Sequence, residues 1–227
     1  MSKDGGGLRV RVKTARRRTP QSTRWLDRQL NDPYVKRAKA EGYRSRAAYK
    51  LIELDQRFGF LKGSKRIIDL GIAPGGWSQV ARRQLPKAAI AGIDLLPVDP
   101  IDGVAILQMD FMDDKAPAAL AEALGGVPDL VLSDMAANTV GHPQTDALRT
   151  MALVEAALAF AVEVLEPGGA FIGKVFAGGA DSALVAELKR NFRTVKHAKP
   201  PASRKGSSEW YVVAQGFKGR QEPAPQE

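Results

Sequence analysis

Asp69-Leu70-Gly71-Ile72-Ala73-Pro74-Gly75-Gly76-Trp77 follows a short apolar run, Arg66 to Leu70, and opens a helical pattern from Trp77 to Arg83. Strand, glycine turn and helix in that order mark the crevice beyond the carboxyl end of the first strand in a doubly wound sheet. The glycines let the backbone approach a ligand closely and start the helix tightly. A dinucleotide loop would read Gly-x-Gly-x-x-Gly, whereas Ala73-Pro74 stands in the middle here, which disfavours the pyrophosphate approach that NAD needs. No Gly-Lys-Ser/Thr follows, so the loop is not a Walker-type site.

The alternation continues on both sides. Upstream, Ala47, Ala48, Leu51, Ile52, Leu54 and Phe58 recur at helical spacing and Gly59 supplies a stop. Downstream, strands are expected at Ala89 to Ile93, Val104 to Leu107, Asp129 to Leu132, Ala170 to Gly173, Thr194-Val195 and Glu209 to Ala214. Helices are expected at about Pro117 to Leu124, Thr145 to Leu165 and Asp181 to Asn191. The pattern predicts a Rossmann-like α/β fold, a doubly wound, mostly parallel, seven-stranded sheet with helices on both faces.

The chain has 227 residues, 44% of them hydrophobic, enough for one α/β domain with tails. The most apolar helix runs uncharged only from Ala156 to Val162, far short of a membrane span. The absence of cysteine excludes disulfides, Cys-ligated zinc and thiol catalysis and fits a reducing compartment. Met1 to Arg18 is basic but lacks the apolar core of a secretory signal, and Asp4 with Gly5-Gly6-Gly7 makes a poor amphipathic presequence, so a cytoplasmic location is expected. His142 and His197 have no ligand partners at useful spacing, and no metal is expected.

Charge is unevenly spread. Residues 1–46 hold 14 Lys or Arg against four acids, while the remaining 181 residues hold 20 bases and 21 acids. A concentrated basic arm on a neutral domain suits a polyanion, because each neutralised phosphate releases counterions; a charge run by itself is more often a solvated tail. Residues 1 to about 20, with Arg16-Arg17-Arg18 ahead of Thr19-Pro20, show no apolar periodicity and read as a flexible arm. Trp25, Tyr34 and Tyr43 lie among the basic residues, where they either stack on splayed bases or pack against the core.

Asp94 ends the second strand, where an acid accepts hydrogen bonds from a ribose diol, and Asp110 after the third strand is placed to meet an adenine amino edge. Singly, each is more often a turn or cap residue. Asp69, Asp94 and Asp110 at three successive strand ends, after a loop wrong for NAD, favour an adenosine ligand without a pyrophosphate, and S-adenosylmethionine fits. After the fourth strand come Ser133-Asp134-Met135-Ala136-Ala137-Asn138, and Gly173-Lys174-Val175-Phe176 closes the fifth. A lysine at the end of a buried strand either snorkels outward or has a chemical role.

At these residues the chain resembles the FtsJ/RrmJ (RlmE) family of ribosomal RNA 2′-O-ribose methyltransferases. The resemblance runs from about Ser45 to Ala214, through Ser45 to Leu51, Asp69 to Val80, Gly92 to Pro97, Leu132 to Met135, Gly168 to Phe176 and Lys199 to Trp210. It implies a class I S-adenosylmethionine-dependent methyltransferase whose Lys-Asp-Lys-Glu tetrad falls on Lys50, Asp134, Lys174 and Glu209. Its cofactor contacts fall on Gly75, Trp77, Asp94, Asp110 and Asp134. Ile72 stands where the family commonly has Ala, and Ala137 where it commonly has Pro. The implied substrate is a uridine of 23S ribosomal RNA, presented on the large ribosomal subunit.

The expected organisation is then a basic, partly flexible RNA-binding arm over residues 1–43, a methyltransferase domain over 44–216 and a polar tail over 217–227, in a monomer that touches no membrane. Lys174 would take the proton of a ribose 2′-hydroxyl, from its neutral form only; a nearby Lys50 charge favours that form and an Asp134 carboxylate opposes it. Glu209 would orient Lys50 or the ribose. RNA contacts are expected from the arm, from Arg44 and Arg46, and from Arg204-Lys205. The rivals are a cap or transfer RNA 2′-O-methyltransferase, a non-catalytic RNA-binding ribosome assembly factor, and, remotely, a nicotinamide oxidoreductase.

Overall fold

Fourteen elements alternate along the chain in the computed structural model, which describes residues 14, 19–137, 143–176 and 182–220. In order they are α1 (Pro20–Asn31), α2 (Pro33–Glu41), α3 (Ala47–Phe58), β1 (Arg66–Leu70), α4 (Gly76–Gln84), β2 (Ala89–Asp94), β3 (Val104–Gln108), α5 (Ala116–Leu124), β4 (Leu130–Ser133), α6 (Pro143–Val164), β5 (Ala170–Phe176), α7 (Ser182–Asn191), β6 (Phe192–Ala198) and β7 (Glu209–Phe217).

The strands form a single sheet in the order β3-β2-β1-β4-β5-β7-β6. β1 pairs in parallel with β2 and β4, and β4 with β5, while β7 runs antiparallel to both β5 and β6. The order reverses at β1, so the loops leaving β1 and β4 open a crevice at that switch point.

Period-two alternation divides the core between the two faces. Ile68, Leu70, Val131, Phe171, Val175 and Val212 pack against α5, α6 and α7. Ile67, Leu130, Leu132, Ile172, Tyr211 and Val213 pack against α3 and α4. Counting on by twos puts Lys174 and Glu209 on this second face, where α3 carries Lys50. Leu51 and Leu54 of α3 are fully buried in that layer, each contributing about 1.5–3 kcal/mol through area removed from water. Removing either would loosen the helix that delivers Lys50.

The region expected to be an arm holds two capped helices. Thr19 caps α1, its side chain accepting from the Ser22 amide, with Pro20 in the first turn. Asp32 ends α1 and caps α2 by accepting from the Tyr34 amide, again ahead of a proline, and Gly42 closes α2 in the left-handed conformation. α2 docks on the domain through Ala38, which packs with Tyr49 and Ala202. Among the described residues, no helix is long and apolar enough to cross a membrane.

Candidate active site

Strand register brings three of the expected residues together. Ser133 of β4 lies opposite Gly173 of β5, so the residues that follow them, Asp134 and Lys174, meet at the carboxyl end of the sheet. Lys174 Nζ lies 3.2 Å from Asp134 Oδ1 and donates to the Asp134 carbonyl oxygen at 2.6 Å. β7 returns alongside with Glu209 on the same face, and α3 lowers Lys50 between the two acids. Its amine donates to Glu209 Oε2 at 2.8 Å and sits 3.5 Å from Asp134 Oδ2. The second oxygen of Glu209 accepts from the Ser203 hydroxyl at 2.7 Å.

All four side chains are largely withdrawn from water: Lys50 is 12% exposed, Asp134 16%, Lys174 8% and Glu209 14%. Two cations facing two carboxylates leave the cluster formally neutral, the condition under which buried charges persist. Burial pushes the Asp134 carboxyl up, but the Lys174 and Lys50 charges and hydrogen bonds from Tyr211 and Lys174 outweigh it and hold the group below the usual carboxylate range. Asp134 is therefore a fixed anion between two ammonium groups.

The glycine turn adjoins this cluster directly. The Asp134 amide donates to the Leu70 carbonyl at 3.3 Å, and a Cβ on Gly71 would lie 3.1 Å from the Met135 Cα. Gly75 has φ +106°, and a Cβ there would lie 2.6 Å from Ile101 Cδ1, so this position accepts only glycine. Gly75 caps α4 without a side-chain hydrogen bond, and while the Ser78 amide turns to Asp69, the amides of Gly76 and Trp77 have no capping side chain. Asp94 is half-buried; its Oδ2 accepts from the Ala73 amide and its Oδ1 from the Leu96 amide, both at 2.9 Å. Each oxygen retains a second lone pair, so the carboxylate both shapes the turn and can accept from a diol. Asp110 is exposed and holds a similar turn through the Met112 amide. Uncapped amides, a glycine cradle and a carboxylate with spare acceptors fit an adenosine-containing amino-acid ligand.

Residues 43–217 match the family described as FtsJ-like methyltransferase. A ribosomal RNA large subunit methyltransferase E from Rhizorhabdus wittichii is 74% identical over 99% of this chain and 98% of its own. Its counterpart from Sphingopyxis alaskensis is also 74% identical, over 96% and 95%. The crystal structure of a ribosomal RNA methyltransferase from Plasmodium falciparum superposes with a TM-score of 0.71 at 36% identity, covering 78% of this chain and all of that one. The chain belongs to the FtsJ-like methyltransferase family. It is an enzyme of methyl transfer, built on the Rossmann-like sheet that the residue pattern predicts.

Within this family member, Ile72 is buried and packs over Gly92, where a Cβ would come within 2.5 Å of it. The Ala137 amide faces the Thr150 hydroxyl at 3.4 Å. Asn138 and His142 lie outside the described residues; His197 is exposed on β6.

Trp77 is buried, its indole N–H donating to the Ala47 carbonyl at 2.9 Å, so the ring ties α4 to α3. Tyr211 belongs to no motif that the sequence displays, yet its hydroxyl donates to Asp134 Oδ1 at 2.7 Å and its ring lies 5.7 Å from both Lys50 Nζ and the Trp77 ring centre. Burial, with the Asp134 and Glu209 charges behind it, raises its pKa well above the ordinary tyrosine value, so it acts here only as a donor. Its position two residues past Glu209 is the signal that could have found it, since both then share a face.

Of the residues expected to meet RNA, the described tyrosines take the packing alternative, Arg44 and Arg46 are engaged within the protein, and Arg204 and Lys205 reach solvent. Tyr34 donates to Glu53 at 2.8 Å, and Tyr34 and Tyr43 pack their rings on Tyr49, so neither is a free stacking face; the Trp25 side chain lies outside the described set. Arg46 pairs with Asp32 at 3.1 Å and donates to the Ala202 carbonyl, and Arg44 is bound to backbone carbonyls. Arg204 lies 3.6 Å from the same Asp32 and is partly open, while Lys205 is exposed.

Proposed function

We propose that this enzyme methylates the 2′-hydroxyl of a ribose in large-subunit ribosomal RNA, a uridine of 23S RNA, using S-adenosylmethionine. The observation that carries the reading is the contact of the two halves of the site: Asp134, flanked by two lysine amines, is anchored on Leu70, the residue that leads into the glycine turn. S-adenosylmethionine bound at that turn supplies a sulfonium methyl, which the ribose oxygen takes as the thioether leaves.

Every other element of the reaction rests on the chain. Gly75, the Trp77 backbone, Asp94, Asp110 and Asp134 hold the donor. Lys174 Nζ, after releasing its own proton to solvent, takes the hydroxyl proton in its neutral form as the oxygen attacks, a role typically worth about 10²–10⁴-fold. Asp134 fixes the direction of the Lys174 amine. Glu209 holds Lys50, and Lys50 steadies the ribose oxygen as charge builds on it. Much of the rate comes from alignment, since effective molarities in well-oriented pairs reach about 10⁵ to 10⁸ M.

The excess positive charge of residues 1–46 supports an RNA partner, contacted by the basic segment over residues 1–43 and by the open cations Arg204 and Lys205. The methyltransferase domain spans residues 44–216, and residues 217–227 form a polar tail. The enzyme works in the cytoplasm, as a monomer, on the assembled subunit. Incubating it with methyl-labelled donor and either isolated large subunits or free transfer RNA, then mapping the alkali-resistant nucleotide, tests this. Label in one 23S uridine is the expected result; label in a base or in transfer RNA alone would overturn it.

A further inference from the structure

The linker between α2 and α3 sends Arg44 to the donor side of the cleft. Its Nη1 donates to Asp99 O at 2.6 Å and to Pro74 O at 3.3 Å, and its Nη2 to Pro100 O at 2.7 Å. Pro74 belongs to the turn after β1, and Asp99 and Pro100 to the loop after β2. One guanidinium therefore joins the turn that carries Gly75 to the loop that follows Asp94. The backbone at Arg44 is itself held: its amide donates to Gln79 Oε1 on α4 at 2.8 Å, and Gln79 returns a hydrogen bond to Gly42 O at 3.3 Å.

The loop after β2 has little else to fix it. Leu95 and Leu96 are 60% and 63% exposed, and Pro97, Asp99 and Pro100 are exposed too, so of the loop's apolar residues only Val98 and Ile101 are partly buried. Its side-chain attachments are polar: Gln108, which donates to Leu95 O at 3.3 Å, Arg44 at Asp99 and Pro100, and Arg82, which donates to Gly103 O at the far end, so among these Arg44 alone ties its middle to the turn after β1. A segment with few apolar contacts opens locally at small free-energy cost unless such bonds hold it. The packing is close where Arg44 crosses, since a Cβ on Gly75 would lie 2.6 Å from Ile101 Cδ1 and 3.1 Å from Arg44 Nη1. A planar guanidinium with five donors serves three fixed carbonyls at once; a lysine ammonium, a point charge on a flexible stem, does not span them.

We propose that Arg44 is a positioning residue of the methyl-donor site, holding the loops after β1 and β2 at the separation the donor requires. It rests on the reading of this crevice as the S-adenosylmethionine site. Its cation is committed to main-chain carbonyls and acts on the donor, outside the RNA-contacting surface. Losing the bridge lowers the fraction of molecules with both loops in place, and apparent affinity falls by that same fraction.

The test is calorimetric titration of S-adenosylhomocysteine, without RNA, into wild type, Arg44→Ala and Arg44→Lys, with amide exchange of residues 95–103 measured on the same proteins. RNA affinity is read separately by filter binding. The expected result is affinity for the nucleoside weakened about tenfold or more in both variants, faster exchange in 95–103, a raised KM for the donor with kcat retained at saturation, and RNA affinity within twofold of wild type. Should Arg44→Ala fail to fold, Arg44→Lys gives the same reading. Nucleoside affinity within twofold of wild type overturns the proposal, whatever happens to RNA binding. A wild-type protein that binds no nucleoside overturns the functional reading as well, and so is told apart.

Discussion

Lys174 meets Asp134 twice, its amine lying 3.2 Å from Oδ1 and donating to the carbonyl oxygen of the same residue at 2.6 Å. Side chain and backbone of one residue thus fix the direction of a lysine that is only 8% exposed. Replacing Asp134 with Asn keeps the shape and the carbonyl contact but leaves Lys50 and Lys174 with Glu209 as the one carboxylate of the tetrad. The expected outcome is a loss of about 3 kcal/mol in stability, the lower end for breaking a buried ion pair, with transfer reduced at least 100-fold. Urea unfolding with an unchanged slope, alongside single-turnover transfer, measures both; wild-type values of either would contradict the arrangement.

Tyr211→Phe removes one oxygen and keeps the ring against Trp77. Asp134 then loses a donor but not its lysines, so stability should fall by about 1.5–3 kcal/mol, the range for a hydrogen bond to a charged group. Donor affinity should be unchanged and the transfer step slower. An unchanged single-turnover rate would reduce Tyr211 to a packing residue.

Asp69 has a distinct pH signature. It is fully buried beneath the turn, accepts from the Ser78 hydroxyl at 2.7 Å, and has no hydrogen-bond partner at Oδ1 among the described residues. Burial, with smaller contributions from the Asp134 and Asp94 charges, pushes its pKa up to about 7 against the Ser78 hydrogen bonds. The folded state thus binds this proton more tightly than the unfolded state. Its contribution to stability is full below about pH 4 and is lost as pH rises to 7, at roughly 1.4 kcal/mol for each pH step in that window. Asp134 has the opposite sign: its lowered pKa gives stability that is present above about pH 4 and lost below. Asp69→Asn should flatten the decline of melting temperature between pH 5 and 8; an unaltered pH slope would show that Asp69 is already ionised there.

Gly75→Ala should cost at least about 1–2 kcal/mol from its left-handed backbone alone, before the clash with Ile101 is counted. Because the turn must shift to relieve both, donor affinity should fall more than tenfold. Calorimetry that finds normal affinity in a stable Gly75→Ala protein would contradict the glycine cradle.

Most of the sheet is legible in the sequence because its strands are short apolar runs bounded by glycine or polar residues, and the ends of β1, β2 and β4 fall within a residue of those expected. Of β6, only Thr194-Val195 stands out. As an edge strand it exposes Arg193, Lys196 and His197, and these interrupt the apolar pattern over Phe192–Ala198. Helices α1 and α2 are hidden for another reason: Thr19-Pro20 reads as a turn marker but is also the cap and first residue of a helix, and Asp32-Pro33 repeats it. Within the site, Lys50, Asp134, Lys174 and Glu209 are found through family resemblance, and register then explains their meeting. The roles of Arg44 and Arg46 are not legible, because their acceptors include main-chain carbonyls 30 to 156 residues away, which leave no mark on side-chain composition.

The most direct test of the mechanism is single-turnover methyl transfer to large ribosomal subunits by Lys174→Ala, at saturating donor, with donor affinity measured on the same preparation. Normal donor binding is expected, with a transfer rate down by about 10²-fold or more, in the range typical of a lost general base. Donor binding retained together with a transfer rate within a few-fold of wild type would contradict it, because the ribose proton would then leave by a route that does not pass through Lys174.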